Sequence, residues 1–225
     1  MKNKTLWKQV GAAAIAAAMV MSTVPATPVQ AAGGKTLAVS SQKQLNQALK
    51  TVKGKNAVIT VKAGKNVKIT IPKGTYKVTI RVVGKKAAVV NNGTVKEIVV
   101  NSKGTVAIKN NGTIKKVTVQ NAKSVSFSGN HKKAVPVVVN AEDVSMILAA
   151  PAKITAKKDV NIVLKKGAEK SSITCTKNAQ AQVDNQTKKA ISVKIADGTT
   201  LKVESGESCT ITPKGKKEDT SGEDK

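Results

Sequence analysis

The sequence predicts an all-β fold: a single-stranded parallel β-helix (β-solenoid) with rungs of about 20 residues and one N-terminal capping helix. Asparagines recur along residues 91–140 with a step of 19 or 20 residues, and valine or isoleucine fills alternate positions in the runs between them. This alternation is typical of strands, and a fixed period means that each unit buries its apolar face only by stacking on the next. Beyond residue 31 the aromatic side chains are only Tyr76 and Phe127. A narrow core of stacked aliphatic residues needs no more aromatic bulk.

The asparagines suit the corners of stacked rungs, because this side chain tolerates left-handed backbone geometry and its amide can bond the rungs above and below. An Asn-Gly-Thr triplet occurs twice, at residues 92–94 and 111–113. Asn-Gly also favours two-residue hairpin turns, which remain the alternative. The predicted structural ladder has two columns, Asn101, Asn121 and Asn140 in one, and Asn92, Asn111 and Asn130 in the other, with Asn91 and Asn110 as alternatives in the second.

Residues 1–31 have the features of a signal peptide. Three lysines precede an apolar run over residues 10–24, and Val29-Gln30-Ala31 supplies small residues at the cleavage site. The apolar run is too short to span a bilayer comfortably. We therefore expect an exported protein that begins at Ala32.

Residues 32–56 form the predicted N-terminal segment with the capping helix. Over residues 41–52, Leu45, Ala48 and Leu49 share one face of a helix, and Ser41 with Gln44 has the spacing of a capping box. The open end of a stack of strands exposes apolar core and unpaired backbone groups. The helix is the natural lid, and a surface helix with no special role is the alternative.

Residues 57–212 form the predicted solenoid of about eight rungs. The apolar pairs assigned to its strands include Ala88 with Val90, and Val125 with Phe127. Residues 213–225 are polar, mixed in charge and without aliphatic side chains, which predicts a disordered tail. This tail shows no sorting signal, so we expect no covalent anchor to a cell wall.

Cys175 and Cys209 are the only cysteines. If Ile173, Ile191 and Cys209 occupy the same position in successive rungs, the two thiols lie about 10 Å apart, beyond the reach of a disulfide. Export would permit a bridge. Both states stay open, and the spacing favours two buried free thiols.

Several stretches together resemble one known superfamily. They are Leu-Ala-Val-Ser-Ser at residues 37–41, the helix after it, Ala-Val-Ile-Thr-Val at residues 57–61 and the Asn-Gly-Thr rungs. This combination resembles the right-handed parallel β-helix (pectin-lyase-like) superfamily, and its non-enzymatic, secreted bacterial surface proteins of the adhesin type in particular. The hexapeptide period of left-handed β-helices is missing, which favours the right-handed form. The resemblance implies a fold but no single activity, because the superfamily also contains polysaccharide lyases and hydrolases.

The residues needed for catalysis are scarce. Enzymes of that superfamily use clustered aspartates, a calcium site, or a basic residue beside acidic ones, yet Glu97 is the only acidic residue between Lys35 and Asn140. His131, the only histidine, has no cysteine or carboxylate near it in sequence. We expect no catalytic residue, no metal site and no cofactor. The alternative is a polysaccharide lyase or glycoside hydrolase that acts on an acidic polysaccharide.

Charge is the strongest functional signal in the sequence. From Lys35 to Asn140, 20 lysines and Arg81 oppose only Glu97, a net charge of +20, whereas 15 lysines oppose 12 acidic residues in residues 141–225. Lysines that only keep the protein soluble are the alternative, although acidic residues serve solubility at least as well. Rung stacking aligns several lysines and predicts a polyanion-binding face made of Lys96, Lys103, Lys115, Lys116 and Lys123.

The scarcity of arginine and of aromatic side chains indicates the kind of partner. Sequence-specific nucleic-acid recognition uses arginine forks and aromatic platforms, and neutral sugars also stack on aromatic rings. We expect an anionic polysaccharide, a teichoic-acid-like polymer or a membrane surface, with nucleic acid bound without sequence preference as a further candidate. The predicted function is that of a secreted, non-catalytic, adhesin-like or structural protein, released or retained at the bacterial cell envelope.

Overall fold

The computed structural model describes residues 35–63, 67–213 and 217–219. It is all-β, with a parallel β-solenoid of about 8 turns, rungs of about 19 residues and one helix near the N-terminus. The predicted fold class is therefore confirmed. The predicted signal peptide lies outside the described residues.

The chain alternates between two sheets. It begins with β1 (Lys35–Val39) and helix α1 (Gln42–Thr51). The strands that follow are β2 (Ala57–Ala63), β3 (Val67–Ile71), β4 (Thr75–Gly84), β5 (Lys86–Asn91), β6 (Thr94–Asn101), β7 (Thr105–Asn110), β8 (Thr113–Ile114), β9 (Val117–Asn121), β10 (Ser124–Ser128), β11 (Val135–Val139), β12 (Val144–Ala149), β13 (Ala152–Ala156), β14 (Val160–Leu164), β15 (Ser172–Cys175), β16 (Ala181–Asn185), β17 (Ile191–Lys194), β18 (Thr200–Val203), β19 (Ser208–Ile211) and β20 (Lys217–Asp219).

Sheet 1 has the order β1-β2-β4-β6-β9-β11-β13-β15-β17-β18, with β8 beside β6, and sheet 2 has the order β20-β19-β16-β14-β12-β10-β7-β5-β3. Through most of the solenoid, each rung contributes one strand to each sheet. We call the turns from sheet 1 to sheet 2 the first corner and those from sheet 2 to sheet 1 the second corner.

The core consists of in-register columns of apolar side chains between the two sheets. In sheet 2, Val89, Ile108 and Phe127 occupy equivalent positions in three successive rungs, and all three are buried. The predicted pair Ala88 and Val90 is wrong as an inward pair, because both are half-exposed whereas Val89 is buried. This run of apolar residues carries no alternation of its own, so the sequence did not indicate which set faces inward.

Helix α1 forms where the sequence predicts it. The hydroxyl of Ser41 accepts a hydrogen bond from the backbone N–H of Gln44, and Leu45, Ala48 and Leu49 are buried. The helix contacts β1 and β3, the strands at the N-terminal ends of the two sheets. Its apolar face thus covers core that the first rung leaves open.

The C-terminal end departs from the predicted parallel stack. Strands β17 and β18 form an antiparallel hairpin, and β19 runs antiparallel to both β16 and β20. Strand β20 consists of Lys217–Asp219, so three residues of the predicted disordered tail instead pair with the edge of β19. Antiparallel strands present the same alternation of residues as parallel ones, so the pattern alone could not separate the two.

The alignment predicted for the cysteines is wrong. Ile173 pairs with Val193 in sheet 1, whereas Cys209 lies opposite Val183 in sheet 2. The chain reversal after β17 moves Cys209 to the other sheet. Cys175 and Cys209 are both buried, and no disulfide joins them.

Candidate anion-binding site

The five lysines predicted to bind a polyanion are all exposed. Lys96, Lys115 and Lys116 lie on neighbouring rungs at the start of the sheet 1 strands, where the Lys115 N–H donates to the Val95 carbonyl. The other two lie at the first corner, Lys103 just after β6 and Lys123 just after β9. The structure therefore brings the five together as two groups, at opposite ends of β6 and β9.

Glu97 reduces the free charge of the first group. Its carboxylate lies 3.3 Å from the Lys116 ammonium and accepts a hydrogen bond of 2.5 Å from the Thr118 hydroxyl. Only 19% of the Glu97 side chain is exposed. Lys116 is thus partly neutralised within the fold, so Lys96 and Lys115 are the members of this group better placed to meet a ligand.

Both predicted asparagine columns lie near the surface. In the first column, Asn101 pairs in register with Asn121 in sheet 1, and Asn121 and Asn140 are exposed, as is Asn130 of the second column. In the other column the Asn111 side chain donates to Asn92 at 3.0 Å on the surface. The structure thus gives this column an exposed amide contact.

A buried amide pair lies one residue earlier in the chain. The Asn91 Nδ2 donates to the Asn110 Oδ1 at 2.8 Å and to the Gly93 carbonyl at 2.9 Å, and neither asparagine is exposed to solvent. Asn185 plays a comparable part further along, because its Nδ2 donates to the carbonyls of Lys189, Val203 and Glu204. These buried amides hold second-corner turns in place.

Unequal turn lengths create a groove at the second corner. The turns of residues 129–134, 165–171 and 186–190 are long, whereas residues 150–151 form a short turn between the first two. The resulting cavity of about 530 Å³ is lined by Pro151 and by residues of the three long turns. We call it the Pro151 groove. Its charged side chains are Lys132, Lys170, Lys188, Lys189 and Glu169.

The one carboxylate of the Pro151 groove is engaged by backbone. Glu169 accepts hydrogen bonds of 3.0 and 2.9 Å from the Gly167 N–H through its two oxygens. The hydrogen bonds from the Gly167 N–H and from the N–H of Glu169 itself lower the pKa of the Glu169 carboxyl. The charges of Lys166 and Lys189 lower it further, by a smaller amount. Glu169 thus stays ionised near neutral pH and orders its turn.

The four lysines of the Pro151 groove remain unpaired. Between described residues, ion pairs join only Lys116 to Glu97 and Lys158 to Glu142. An ammonium group without a carboxylate partner keeps its full charge for an incoming anion. The groove therefore presents four lysines outside any ion pair, together with the Glu169 carboxylate, around a cavity of ligand size.

The two corners differ in charge along the C-terminal half. At the first corner, lysines mix with acids: Lys158 lies 2.7 Å from Glu142, and this hydrogen bond lowers the pKa of the Glu142 carboxyl. Asp159, at the same corner, accepts a hydrogen bond from the Gln180 N–H. At the second corner, the turns of residues 129–134, 165–171 and 186–190 contain one acid, Glu169, and seven lysines, Lys132, Lys133, Lys165, Lys166, Lys170, Lys188 and Lys189. Glu204 and Glu207 lie at the same corner, because the turn between β18 and β19 packs on residues 185–187.

His131 fixes the long turn that forms one wall of the groove. Its Nδ1 lies 3.1 Å from the Asn110 carbonyl oxygen and its Nε2 lies 3.0 Å from the Pro151 carbonyl oxygen. Its ring also meets Phe127 edge to face at 5.2 Å between centroids. Both hydrogen-bond partners are acceptors, so a ring protonated on both nitrogens donates to both, whereas a neutral ring donates to one. His131 thus links the rungs on either side of its own.

The described residues offer little chemistry of other kinds. No group of three or more His, Cys, Asp or Glu side chains within them could hold a metal ion. Burial raises the pKa of the Cys175 thiol to about 11, so this cysteine is a poor nucleophile near neutral pH. Within the same residues, no helix has the length and apolar character needed to cross a membrane.

Comparison with known proteins adds no relative. No family model, curated protein or solved structure matches this chain. Any function must therefore be argued from the geometry and charge of the residues themselves.

The sequence analysis missed the lysines of the Pro151 groove. A signal was present, since Lys-Lys pairs occur at residues 132–133, 165–166 and 188–189, each within a polar interruption of the strand pattern. The alignment of these interruptions on one corner depends on the register of the strands. That register was predicted near the asparagine columns and, wrongly, for Ile173, Ile191 and Cys209, but not for these turns.

Proposed function

We propose that the protein is a secreted, non-catalytic β-solenoid that binds an anionic cell-envelope or extracellular polymer through its exposed lysines. One observation carries the proposal. Every lysine whose burial the structure describes is exposed, and between described residues only Lys116 and Lys158 form ion pairs with a carboxylate. So large an unbalanced charge attracts polyanions and accelerates their association.

The Pro151 groove is the proposed centre of the contact. A chain laid along the second corner crosses successive rungs at intervals of about 4.8 Å. It meets Lys132 on one wall, then Lys170, and then Lys188 and Lys189. Lys96, Lys103, Lys115 and Lys123 would hold further segments of a long polymer, so we retain them as outer contacts.

The chemistry of lysine limits how selective the contact is. An ammonium group is a point charge without the fixed fork of arginine, so it recognises charge density more than the geometry of one group. An anionic polysaccharide, a teichoic-acid-like polymer and an anionic membrane surface all present such density. Nucleic acid would bind in the same way, without sequence preference. Secretion and a place among adhesin-type β-helix proteins belong to this proposal, on the strength of the signal-peptide pattern and the resemblance given above.

The proposal is tested by retention on immobilised polymers. Wild-type protein should bind alginate and poly(glycerol phosphate) at low salt and pass through neutral dextran. Changing Lys132, Lys170, Lys188 and Lys189 together to glutamine should weaken retention. The matched control changes four exposed lysines away from the groove, Lys157, Lys177, Lys194 and Lys202, with the same loss of charge.

The retention experiment has three possible outcomes, and each has a different meaning. Greater loss in the groove variant supports the Pro151 groove as the centre of binding. Equal loss in both variants would show that only net charge matters and would remove the groove from the proposal. Wild-type protein that is retained no better on the anionic polymers than on dextran would contradict polymer binding itself.

A further inference from the structure

A second cavity lies on the other side of the turn of residues 129–134. It measures about 310 Å³ and separates this long turn from the short turn of residues 111–112 in the preceding rung. We call it the Asn110 notch. The residues that line it and matter here are Asn110, Thr113, Ile114, Lys132, Lys133 and Val135.

The side chain of Asn110 carries a hydrogen-bond donor that has no acceptor among the described residues. Its Oδ1 accepts from the Asn91 side chain at 2.8 Å and from the Gly112 N–H at 3.3 Å. Its Nδ2 is buried and has no acceptor among the described residues. A buried donor without an acceptor is costly and uncommon in folded proteins. Asn110 also lines the notch, so a ligand there that brings an acceptor to this amide would gain a hydrogen bond.

The residue at the equivalent position of the next rung explains why this donor has no acceptor. The amide ladder passes from Asn91 to Asn110, but Gly129 occupies the equivalent position in the next rung. Gly129 has φ +135°, and a Cβ there would collide with the Asn110 carbonyl oxygen, so no asparagine fits. The ladder must end at Asn110, beside the point where the longer turn opens the notch.

The lining of the notch indicates the charge and shape of a ligand. Lys132 and Lys133 are exposed and have no ion pair with a described carboxylate, and the notch itself contains no acidic side chain. Ile114 and Val135 are buried and supply apolar lining. Cationic groups suit an oxyanion, and the apolar side chains beside them suit the C–H groups of the small molecule that carries it.

We propose that the Asn110 notch binds the oxyanion of a single monomer unit, with Lys133 and the Asn110 Nδ2 as its ligands. The oxyanion is either the carboxylate of a sugar acid or the phosphate of a glycerol phosphate. This inference rests on the proposed function and deepens it, because it adds a site for one unit of the polymer to a surface that otherwise recognises charge density.

Titration of isotope-labelled protein tests the inference. The side-chain amide resonances of Asn110 should shift in a saturable way with glucuronate or with glycerol 1-phosphate, and not with glucose at equal concentration. Comparison of the two anions identifies which oxyanion the notch prefers. If neither anion moves the Asn110 amide resonances, or if their shifts do not saturate, the inference is overturned.

Substitutions test which residues of the notch bind the monomer. Lys133→Gln should weaken monomer binding about tenfold, the loss expected for one charge-assisted hydrogen bond, whereas Lys177→Gln at the first corner should leave it unchanged. Asn110→Asp keeps an oxygen for Asn91 to bond but replaces the donor with a negative charge, so it should abolish binding. A thermal melt shows whether each variant is folded. Lys133→Gln, at an exposed position, provides the decisive comparison even if Asn110→Asp does not fold.

Failure of the inference and failure of the proposed function are distinguishable. If alginate or poly(glycerol phosphate) retains the protein while Lys133→Gln and Lys177→Gln bind monomers equally, the notch is wrong and polymer binding stands. If neither polymer retains wild-type protein, the proposed function itself fails, and the notch inference fails with it.

Discussion

Gln42 pairs with Thr70 as a neighbouring β-strand would. The Gln42 Nε2 donates to the Thr70 carbonyl at 2.8 Å, and the Gln42 Oε1 accepts from the Thr70 N–H at 2.6 Å. Thr70 lies in β3, the strand at the N-terminal end of sheet 2. One helix side chain thus satisfies both backbone groups of an edge residue. Helix α1 therefore protects the sheet edge by hydrogen bonding as well as by covering the core.

Changing Gln42 to methionine should lower the free energy of unfolding by about 1–3 kcal/mol, because the Thr70 N–H and C=O lose their partners in a partly buried place. Gln47→Met is the matched control, since Gln47 is an exposed residue of the same helix. Urea unfolding of both variants measures the difference. Equal stability of the two would show that the Gln42–Thr70 pair contributes nothing.

Asn91→Ala should destabilise the protein by about 1–3 kcal/mol, since it removes buried hydrogen bonds to Gly93 and Asn110. Asn92→Ala should change stability by less than about 0.5 kcal/mol, because the bond between Asn92 and Asn111 lies at the surface. Thermal melts compare the adjacent positions directly. A larger loss at Asn92 would place the structural ladder in the exposed column.

Much of the fold could be predicted from the sequence, because its signals are local. Ser41 and Gln44 mark the start of α1, and alternating pairs such as Val125 and Phe127 identify inward faces. The sequence left open whether Asn91 or Asn92 belongs to the ladder, since the two residues are adjacent. It therefore did not identify Asn91 and Asn110 as the buried pair. Which of the two faces inward is decided by packing against Val89, two positions before Asn91 on the same face of β5.

The C-terminal end and the candidate site were harder to predict, the first because a local hairpin signal stands inside a pattern typical of parallel rungs, and the second because it depends on long-range register. Asp197-Gly198 lies between two apolar runs and is a hairpin signal that indicates the antiparallel turn before β18. The Pro151 groove arises from differences in turn length between rungs. No short motif records that the lysines at residues 132, 170 and 188–189 meet across Pro151.

Stability should fall more steeply from pH 9 to pH 11 in wild-type protein than in Cys175→Ala. Burial raises the pKa of the Cys175 thiol from 9.0 to about 11, so the folded state favours the neutral thiol. This contribution is complete below pH 9 and is lost as pH rises through 11. Cys175→Ala leaves every other ionisable group in place, so the difference between the two curves isolates the thiol. Parallel stability curves would show that the thiol ionises as freely in the folded state as in the unfolded state.

Exported protein should begin at Ala32, because Val29 and Ala31 are the small residues read at the cleavage site. Amino-terminal sequencing of protein from the culture medium or the cell envelope makes the measurement. A start at Met1 in that material would contradict the signal-peptide interpretation, and with it the secreted location that we propose.

The most direct test of polymer binding is the salt dependence of the association constant for alginate or poly(glycerol phosphate). Each lysine that neutralises a polymer charge releases counterions, so the four groove lysines alone predict a slope of about −3 in a plot of log K against log salt concentration, and any outer contact makes the slope steeper. The variant without Lys132, Lys170, Lys188 and Lys189 should give a distinctly flatter slope. A wild-type slope near zero, or equal affinity for a neutral polymer, would contradict the account.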